Sequence, residues 1–319
     1  MDVFFYEAFE EEAVLLAEMI GKEFTFACSP KTIQEEGHQQ PLAKLASIRT
    51  QSKIPAQWAG TVGGILSRST GYDHLVAYRS AVVHAPPLGF LEEYATRAVA
   101  EHAIMLSMAL LRKLPQQLRQ FEVFNRDGLT GSQCEGTNLL VVGVGRIGSE
   151  IVKIAGTLGF TVKGVDIVPD KKDVDYVSKE IGIGWADLIV CSMNLTKENG
   201  GYFSYKLLRQ AKKGCIFVNI ARGEHSPLAD LERLLDDGHL GGLGLDVFQD
   251  EGALAVSLRT PGDILSPQTA IVKRILSHPN VLLTPHNAFN STEAIRRKSA
   301  MTVEQIHYFL KHGDFKWKI

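Results

Sequence analysis

Little in these 319 residues suggests a staple, a tail or a membrane anchor. Cysteine occurs four times, at Cys28, Cys134, Cys191 and Cys215, with no CxxC pair and no spacing of the kind that holds zinc. Neither a disulfide framework nor a metal site is therefore expected, and a reducing compartment fits best. No sign of charge prevails: 34 Lys and Arg stand against 36 Asp and Glu, a net charge of −2 that gives nucleic acid or an anionic membrane no field to follow. The most apolar helical stretch, residues 98–111, contains Glu101 and His102 and falls short of the roughly 18 to 20 residues of a membrane span. The amino terminus reads MDVFFYEAFEEE, acidic where an export signal is basic. These absences predict a cytoplasmic protein whose partner is a small molecule, with no nucleic acid, no membrane and no metal. Internal repeats and low-complexity tracts are absent as well.

What is present is an ordinary globular composition, 45% hydrophobic and 22% charged, at a length that predicts about two domains. Over the first ninety residues short apolar runs at 3–6, 24–27, 64–66 and 81–84 alternate with helix-like stretches such as 13–20. That alternation predicts βαβ units, a mostly parallel sheet and an α/β class. Pro86 and Pro87 then precede a long helical pattern over 94–114, a plausible boundary between domains.

The second half is more explicit. LLVV at 139–142 reads as a buried strand, is followed at once by GVGRIG at 143–148, and opens a helical stretch that runs through Leu158. Gly143 permits the tight turn, Gly145 lets backbone approach a pyrophosphate, and Gly148 lets helix and strand pack closely. The next apolar run, 160–165, ends at Asp166, placed to accept the ribose hydroxyls of adenosine at a spacing of about 20 residues from the glycines. A carboxylate there favours NAD over NADP, whose 2′-phosphate it would repel. Further strands are expected at 188–191, 215–220 and 281–283, with helices over 205–211, 228–236 and 291–311, the last capped by Ser291 or Thr292 and stopped by Gly313.

Three charged or titratable residues fall near expected strand ends, where open α/β sheets bind ligands: Arg222, Glu251 and His286. Taken singly, each also has a plain structural explanation: a surface ion pair, a loop acid, a buried histidine.

The motifs STGYDHL at 69–75, AVAEHA at 98–103, VVGVGRIG at 141–148, VNIARGE at 218–224, GLGLDVFQDE at 242–251 and LLTPHNA at 282–288 together resemble the D-isomer-specific 2-hydroxyacid dehydrogenase family, in its D-lactate dehydrogenase-like branch, over nearly the whole chain. The resemblance implies two Rossmann-like domains. A flavodoxin-like substrate domain would comprise residues 1–94 completed by 289–319, and a doubly wound NAD-binding domain residues 95–288. It implies that Arg222, Glu251 and His286 are catalytic, that Ser69, Thr70, Gly71 and Arg222 bind the substrate, and that Gly143, Gly145, Arg146, Ile147, Gly148, Asp166, Met193, Asn194, Asn199, Ile220, Ala221 and Asp246 line the cofactor. The implied reaction interconverts a 2-oxo acid and a D-2-hydroxy acid with NAD(H), pyruvate and D-lactate being one candidate pair, in a homodimer built on the 94–114 helix. Two alternatives stay open: a dehydrogenase of another small anion of the formate or phosphite type, and an NADH-sensing, corepressor-like binding protein. SMN at 192–194, where many members carry a His-Val-Pro-like stretch, and a long insertion between Glu251 and His286 leave the substrate unassigned.

Overall fold

A computed structural model describes residues 1–259 and 266–319, and the chain divides into two compact units, Met1–Ala95 with Asn290–Ile319, and Thr96–Phe289. The first unit runs β1 (Val3–Phe5), α1 (Glu10–Ile20), β2 (Phe26–Cys28), α2 (Ile33–Glu36), β3 (Leu45–Ile48), β4 (Gly64–Ser67), α3 (Asp73–Ala81) and β5 (Leu88–Gly89). The second contains α4 (Thr96–Leu111), α5 (Leu114–Gln120), β6 (Asn138–Val142), α6 (Arg146–Thr157), β7 (Thr161–Val165), α7 (Lys179–Trp185), β8 (Leu188–Cys191), α8 (Tyr205–Leu208), β9 (Cys215–Asn219), α9 (Leu228–Asp236), β10 (Leu240–Leu245), α10 (Glu251–Arg259), α11 (Pro267–Ser277) and β11 (Val281–Leu283). The chain then returns to the first unit as α12 (Thr292–His312), which packs on α1. Ser291 caps α12 by accepting from the Ala294 N–H, and Gly313 ends it at φ 70°. Among the described residues no helix is long and apolar enough to cross a membrane.

Both sheets are parallel, in the orders β2-β1-β3-β4-β5 and β11-β10-β9-β8-β6-β7. The strands are short and, apart from the edge strands β2, β7 and β11, mostly buried on both faces, as crossover helices on either side of a parallel sheet require. In each sheet the order reverses once, beside β1 in the first and β6 in the second, and these reversals place the loops that matter. In the first unit Glu7 fills the reversal itself: its carboxylate accepts from the backbone N–H groups of Arg49, Gln51 and Ser52 at 3.0 to 3.1 Å. In the second, the reversal lies between β6 and β8.

Two expected elements differ. The apolar run at 81–84 is no strand: α3 extends through Ala81 and Val83 is 92% exposed, whereas a strand of a parallel sheet buries both faces. The strand of that region is β5, whose Gly89 lies against the Phe315 ring. The long helix expected over 94–114 breaks at Lys113, φ 52°, into α4 and α5. β3 and β10 were not anticipated. β10 reads LGGLGL, and its glycines answer to packing: a Cβ at Gly244 would lie 3.1 Å from Leu110 of α4, which rests on this strand.

The first unit also buries a cluster of charge. Arg68, fully buried at the end of β4, donates from Nε to Glu12 at 2.8 Å, from Nη1 to Ser47 at 3.1 Å and from Nη2 to the Tyr6 carbonyl at 2.6 Å. Lys298 of α12 reaches the other Glu12 oxygen at 2.9 Å. Arg68 is thus tied to α1, β1 and β3, which fixes the start of the segment Ser69–Thr70–Gly71 that follows it. Burial alone would raise the Glu12 pKa, but Arg68, Lys298 and Arg49 outweigh it and hold the carboxyl down at about 2. Burial, together with Arg49 and Arg68, pushes the Lys298 ammonium down to about 7 against the pull of Glu12.

The signs of the two shifts differ in consequence. Glu12, with a depressed folded pKa, stabilises the fold above the ordinary carboxyl range and ceases to do so as pH falls toward 2. Lys298, also depressed, opposes folding below about pH 7, and that cost disappears as pH climbs toward the ordinary value of 10.5. Glu12→Gln strands buried cations and should cost about 3 to 5 kcal/mol in urea unfolding near neutrality. Lys298→Met should be at least as stable as the parent at pH 6 and should lack its rise in stability between pH 7 and 10. Equal losses in both variants at pH 6 would contradict this account.

Candidate active site

The loops at the reversal of the second sheet approach as only glycine allows. Gly143 turns the chain out of β6 at φ 92°, and a Cβ on it would lie 2.6 Å from the Met193 nitrogen in the loop after β8. A Cβ on Gly148, in the first turn of α6, would run into the Gly143 carbonyl oxygen and lie 3.0 Å from Ser192 Oγ. Ser192 Oγ in turn donates to that carbonyl at 2.7 Å. Gly145 is the opposite case: it is exposed, caps α6 without a side chain, and has no atom within 4 Å of an added Cβ. The amino end of α6, with exposed Arg146 and half-buried Ile147, therefore faces open space with its N–H groups and dipole, the arrangement that suits a diphosphate. Asp166, just beyond β7, accepts from the Val144 N–H through Oδ2 at 2.5 Å and from the Val168 N–H through Oδ1 at 2.9 Å. Each oxygen keeps lone-pair capacity for a ribose hydroxyl. These residues fit NAD.

The loop after β8 is stiffened from within. Asn199 Nδ2 donates to the Asn194 carbonyl and Asn199 Oδ1 accepts from the Thr196 N–H, both at 2.8 Å. Ile220 and Ala221, buried at the end of β9, are set by Asn219, whose Oδ1 accepts from the Ala221 N–H at 3.0 Å.

Arg222 follows in extended backbone, φ −144°, and its Nη1 donates to the Ala221 carbonyl at 2.8 Å. Gly223 then presses against the loop after β10: any Cβ on it would sit inside the Phe248–Gln249 peptide. That peptide leads directly to Glu251, whose Oε1 accepts from the Phe248 N–H at 3.0 Å. The other oxygen, Oε2, pairs with His286 Nδ1 at 2.7 Å. Burial would raise the Glu251 pKa, but the charge of His286, the bonds from His286 and the Phe248 N–H, and the charge of Arg222 outweigh it and hold the carboxyl below its ordinary range. Ionised Glu251 accepts from Nδ1–H and so leaves His286 Nε2 to exchange a proton elsewhere. His286 itself holds φ 51°, a left-handed conformation that histidine adopts more readily than most residues but still at a cost.

Arg222, Glu251, His286 and the glycine loop thus share the carboxyl ends of one sheet. Ser69, Thr70 and Gly71 belong to the first unit, after β4, where Ser69 Oγ donates to the Gly71 carbonyl and Thr70 Oγ1 to the Glu92 carbonyl, each at 2.7 Å. Asp246 is fully buried and committed to the histidine loop. Its Oδ1 accepts from Thr284 Oγ1 at 2.6 Å and the Asn287 N–H at 2.8 Å, and its Oδ2 from the Ala288 N–H at 3.0 Å.

Two residues in this region escaped the sequence reading. His102 of α4 meets Thr284 Oγ1 at 3.1 Å and lies 3.6 Å from Asp246 Oδ1; burial lowers its pKa against the pull of Asp246. Its signal was the AVAEHA motif, where it interrupts an apolar helix. His225, fully buried, stands one position beyond the VNIARGE motif and had no signal at all.

A family model described as D-isomer specific 2-hydroxyacid dehydrogenase, NAD binding domain, matches residues 104–288. The chain is 30% identical to a D-lactate dehydrogenase of Streptococcus agalactiae serotype III (strain NEM316) over 239 residues, 73% of this chain and 71% of that one. It is 32% identical to a D-3-phosphoglycerate dehydrogenase of Bacillus subtilis (strain 168) over 228 residues, 68% of this chain and 39% of that one. The crystal structure of a D-lactate dehydrogenase from Aquifex aeolicus complexed with NAD and lactic acid shares the fold, with a TM-score of 0.85, 24% identity and 99% of both chains covered. With more than half of its length matched to that family model, the chain belongs to the D-isomer specific 2-hydroxyacid dehydrogenase family, and residues 104–288 fall in its NAD-binding domain.

Proposed function

We propose that the protein reduces a 2-oxo acid to the D-2-hydroxy acid with NADH, and runs the reverse reaction with NAD. The observation that carries this reading is the 2.7 Å pair of His286 Nδ1 and Glu251 Oε2 on the same sheet ends as Arg222. Pyruvate is the first candidate substrate, because the matched streptococcal relative is named a D-lactate dehydrogenase.

The residues that would hold NAD are the backbone of Gly143, Gly145, Arg146, Ile147 and Gly148 at the diphosphate and Asp166 at the adenosine ribose. Met193, Asn194, Asn199, Ile220, Ala221 and Asp246 would line the remainder. The chemistry NADH supplies there is donation of a hydride. Arg222 binds the substrate carboxylate and orients it, and its fixed positive charge also draws electron density toward the carbonyl oxygen. Ser69, Thr70 and Gly71 of the first unit are further substrate-binding residues in this reading. His286 gives its Nε2 proton to the carbonyl oxygen and recovers it in the oxidation direction. Glu251 fixes the ring tautomer and stabilises the imidazolium.

A homodimer is part of the proposal. Met105 and Met108 on α4, Leu114 and Leu118 on α5, and Phe121, Val123 and Phe124 beyond it are exposed, Phe121 at 73% and Val123 at 78%. Exposed large apolar side chains in this number along one segment favour a partner surface. In sedimentation velocity the protein should run at twice its chain mass, and the double variant Phe121→Glu, Phe124→Glu as the monomer; a monomeric parent would refute the dimer.

The activity itself is tested by NADH consumption with 2-oxo acids from glyoxylate to phenylpyruvate. One acid should be turned over quickly, and His286→Ala and Arg222→Ala should each lose about 100-fold or more in kcat/KM. NADH binding without reduction of any acid would overturn the reading.

A further inference from the structure

His225 sits at 0% exposure, three positions beyond Arg222, with a ring nitrogen aimed at each of two backbone carbonyls. Nδ1 lies 3.3 Å from the Asn199 carbonyl oxygen and Nε2 lies 3.2 Å from that of Met193. Both acceptors belong to the loop after β8, one at each end of its 193–199 stretch, so the imidazole spans the base of that loop as a strut. The backbone on both sides is tied in as well. The His225 carbonyl accepts from the Phe203 N–H at 2.8 Å, the Glu224 carbonyl from the Gly201 N–H at 2.7 Å, and the His225 N–H donates to the Arg222 carbonyl at 3.3 Å.

A carbonyl oxygen only accepts. A neutral imidazole has one N–H and one lone pair, so it can satisfy one of these carbonyls while its lone pair faces the other; the imidazolium donates to both. The strut is complete only when it carries a second proton.

We propose that His225 is a positioning residue for the cofactor: its doubly protonated ring pins Met193 and Asn199 together, holds the 193–199 loop against Gly143, and so strengthens NAD(H) binding as pH falls. The inference rests on the reading that this loop lines the cofactor.

The local charges are few. Glu224 of the same turn favours the charged ring and Arg222 opposes it, while Lys197 and Glu198 of the spanned loop are exposed to solvent. Burial is the largest influence and leaves the pKa below the ordinary histidine value, although the two carbonyls and Glu224 pull upward. At neutral pH the ring is therefore mostly neutral, and the second bond forms on the acid side.

The test is NADH binding to the dehydrogenase, followed by protein fluorescence without substrate at pH 8 and pH 5.5, beside His225→Gln and His225→Leu. The parent should bind NADH about threefold or more tightly at the lower pH, the gain one added hydrogen bond brings. His225→Gln, which can donate to one carbonyl at any pH, should bind with an affinity that no longer changes with pH. His225→Leu should be weaker still and equally flat. In the parent, the titration of nitrogen-15-labelled His225 should move upward when NADH is bound. Equal NADH affinity at both pH values in the parent, or the parental pH dependence kept in both variants, would overturn the inference alone. A parent that binds no NADH at either pH would overturn the cofactor reading and this inference with it.

Discussion

The contact on which the site depends is between two stretches of backbone, at Gly223 and the Phe248–Gln249 peptide. No side chain larger than hydrogen fits at that position, since an added Cβ would occupy the space of the peptide itself. Because the two loops touch there, the turn bearing Arg222 lies beside the turn that leads to Glu251, and the guanidinium charge helps keep the Glu251 carboxyl ionised. Gly143 and Gly148 repeat the device between the loops after β6 and β8. Glycine costs roughly 0.5 to 1 kcal/mol of extra chain entropy at each such place. What it secures is distance: functional groups from four strand ends within reach of one another.

Behind these contacts stand buried polar groups with every bond directed at a loop. Asp246 accepts from Thr284, Asn287 and Ala288 and so holds both flanks of His286, which sits at φ 51° between them. A left-handed non-glycine residue costs on the order of 1 to 2 kcal/mol, and the bonds from Asp246 are positioned to offset it. His102 abuts the same Thr284 from α4. In the first unit Glu7 closes its own sheet reversal in the same way, by accepting three backbone N–H groups. Glu7 and Asp246 thus direct their buried carboxylates mainly at backbone amides, whereas Glu12 holds two side-chain cations and Glu251 divides between the Phe248 amide and an imidazole.

Much of this was legible in the residues. The β-branched run before the glycine loop, the acid after the next strand, and the apolar runs at 188–191, 215–220 and 281–283 all met strands, because a strand buried on both faces must be apolar throughout. Arg222, Glu251 and His286 stood out in the sequence only as charged or titratable residues near strand ends, and their catalytic roles are what the family resemblance implies. What escaped detection followed another rule. β10 is glycine-rich because the Gly214 backbone, Asn280 and α4 crowd Gly241, Gly242 and Gly244 in turn, and packing distance leaves no trace in hydrophobic periodicity. The run at 81–84 has the composition of a strand but is exposed, and burial is a property of neighbours rather than of sequence. α10 and α11 occupy the stretch between Glu251 and His286 that the sequence offered only as an insertion. His225 was invisible because its meaning lies in two carbonyl oxygens contributed by a distant loop.

Backbone contact at Gly223 brings together the turns that bear the proposed reactive residues. The direct measurement is the single-turnover rate of reduction in Gly223→Ala, with NADH bound beforehand and the best 2-oxo acid of the parent as substrate. A misplacement of about 1 Å is enough to cost about 100-fold in rate, and a loss of that size or larger, in protein that remains folded and binds NADH, is the predicted result. Parental rates from folded Gly223→Ala would contradict the account, because Arg222, Glu251 and His286 would then be working without the contact that brings them together.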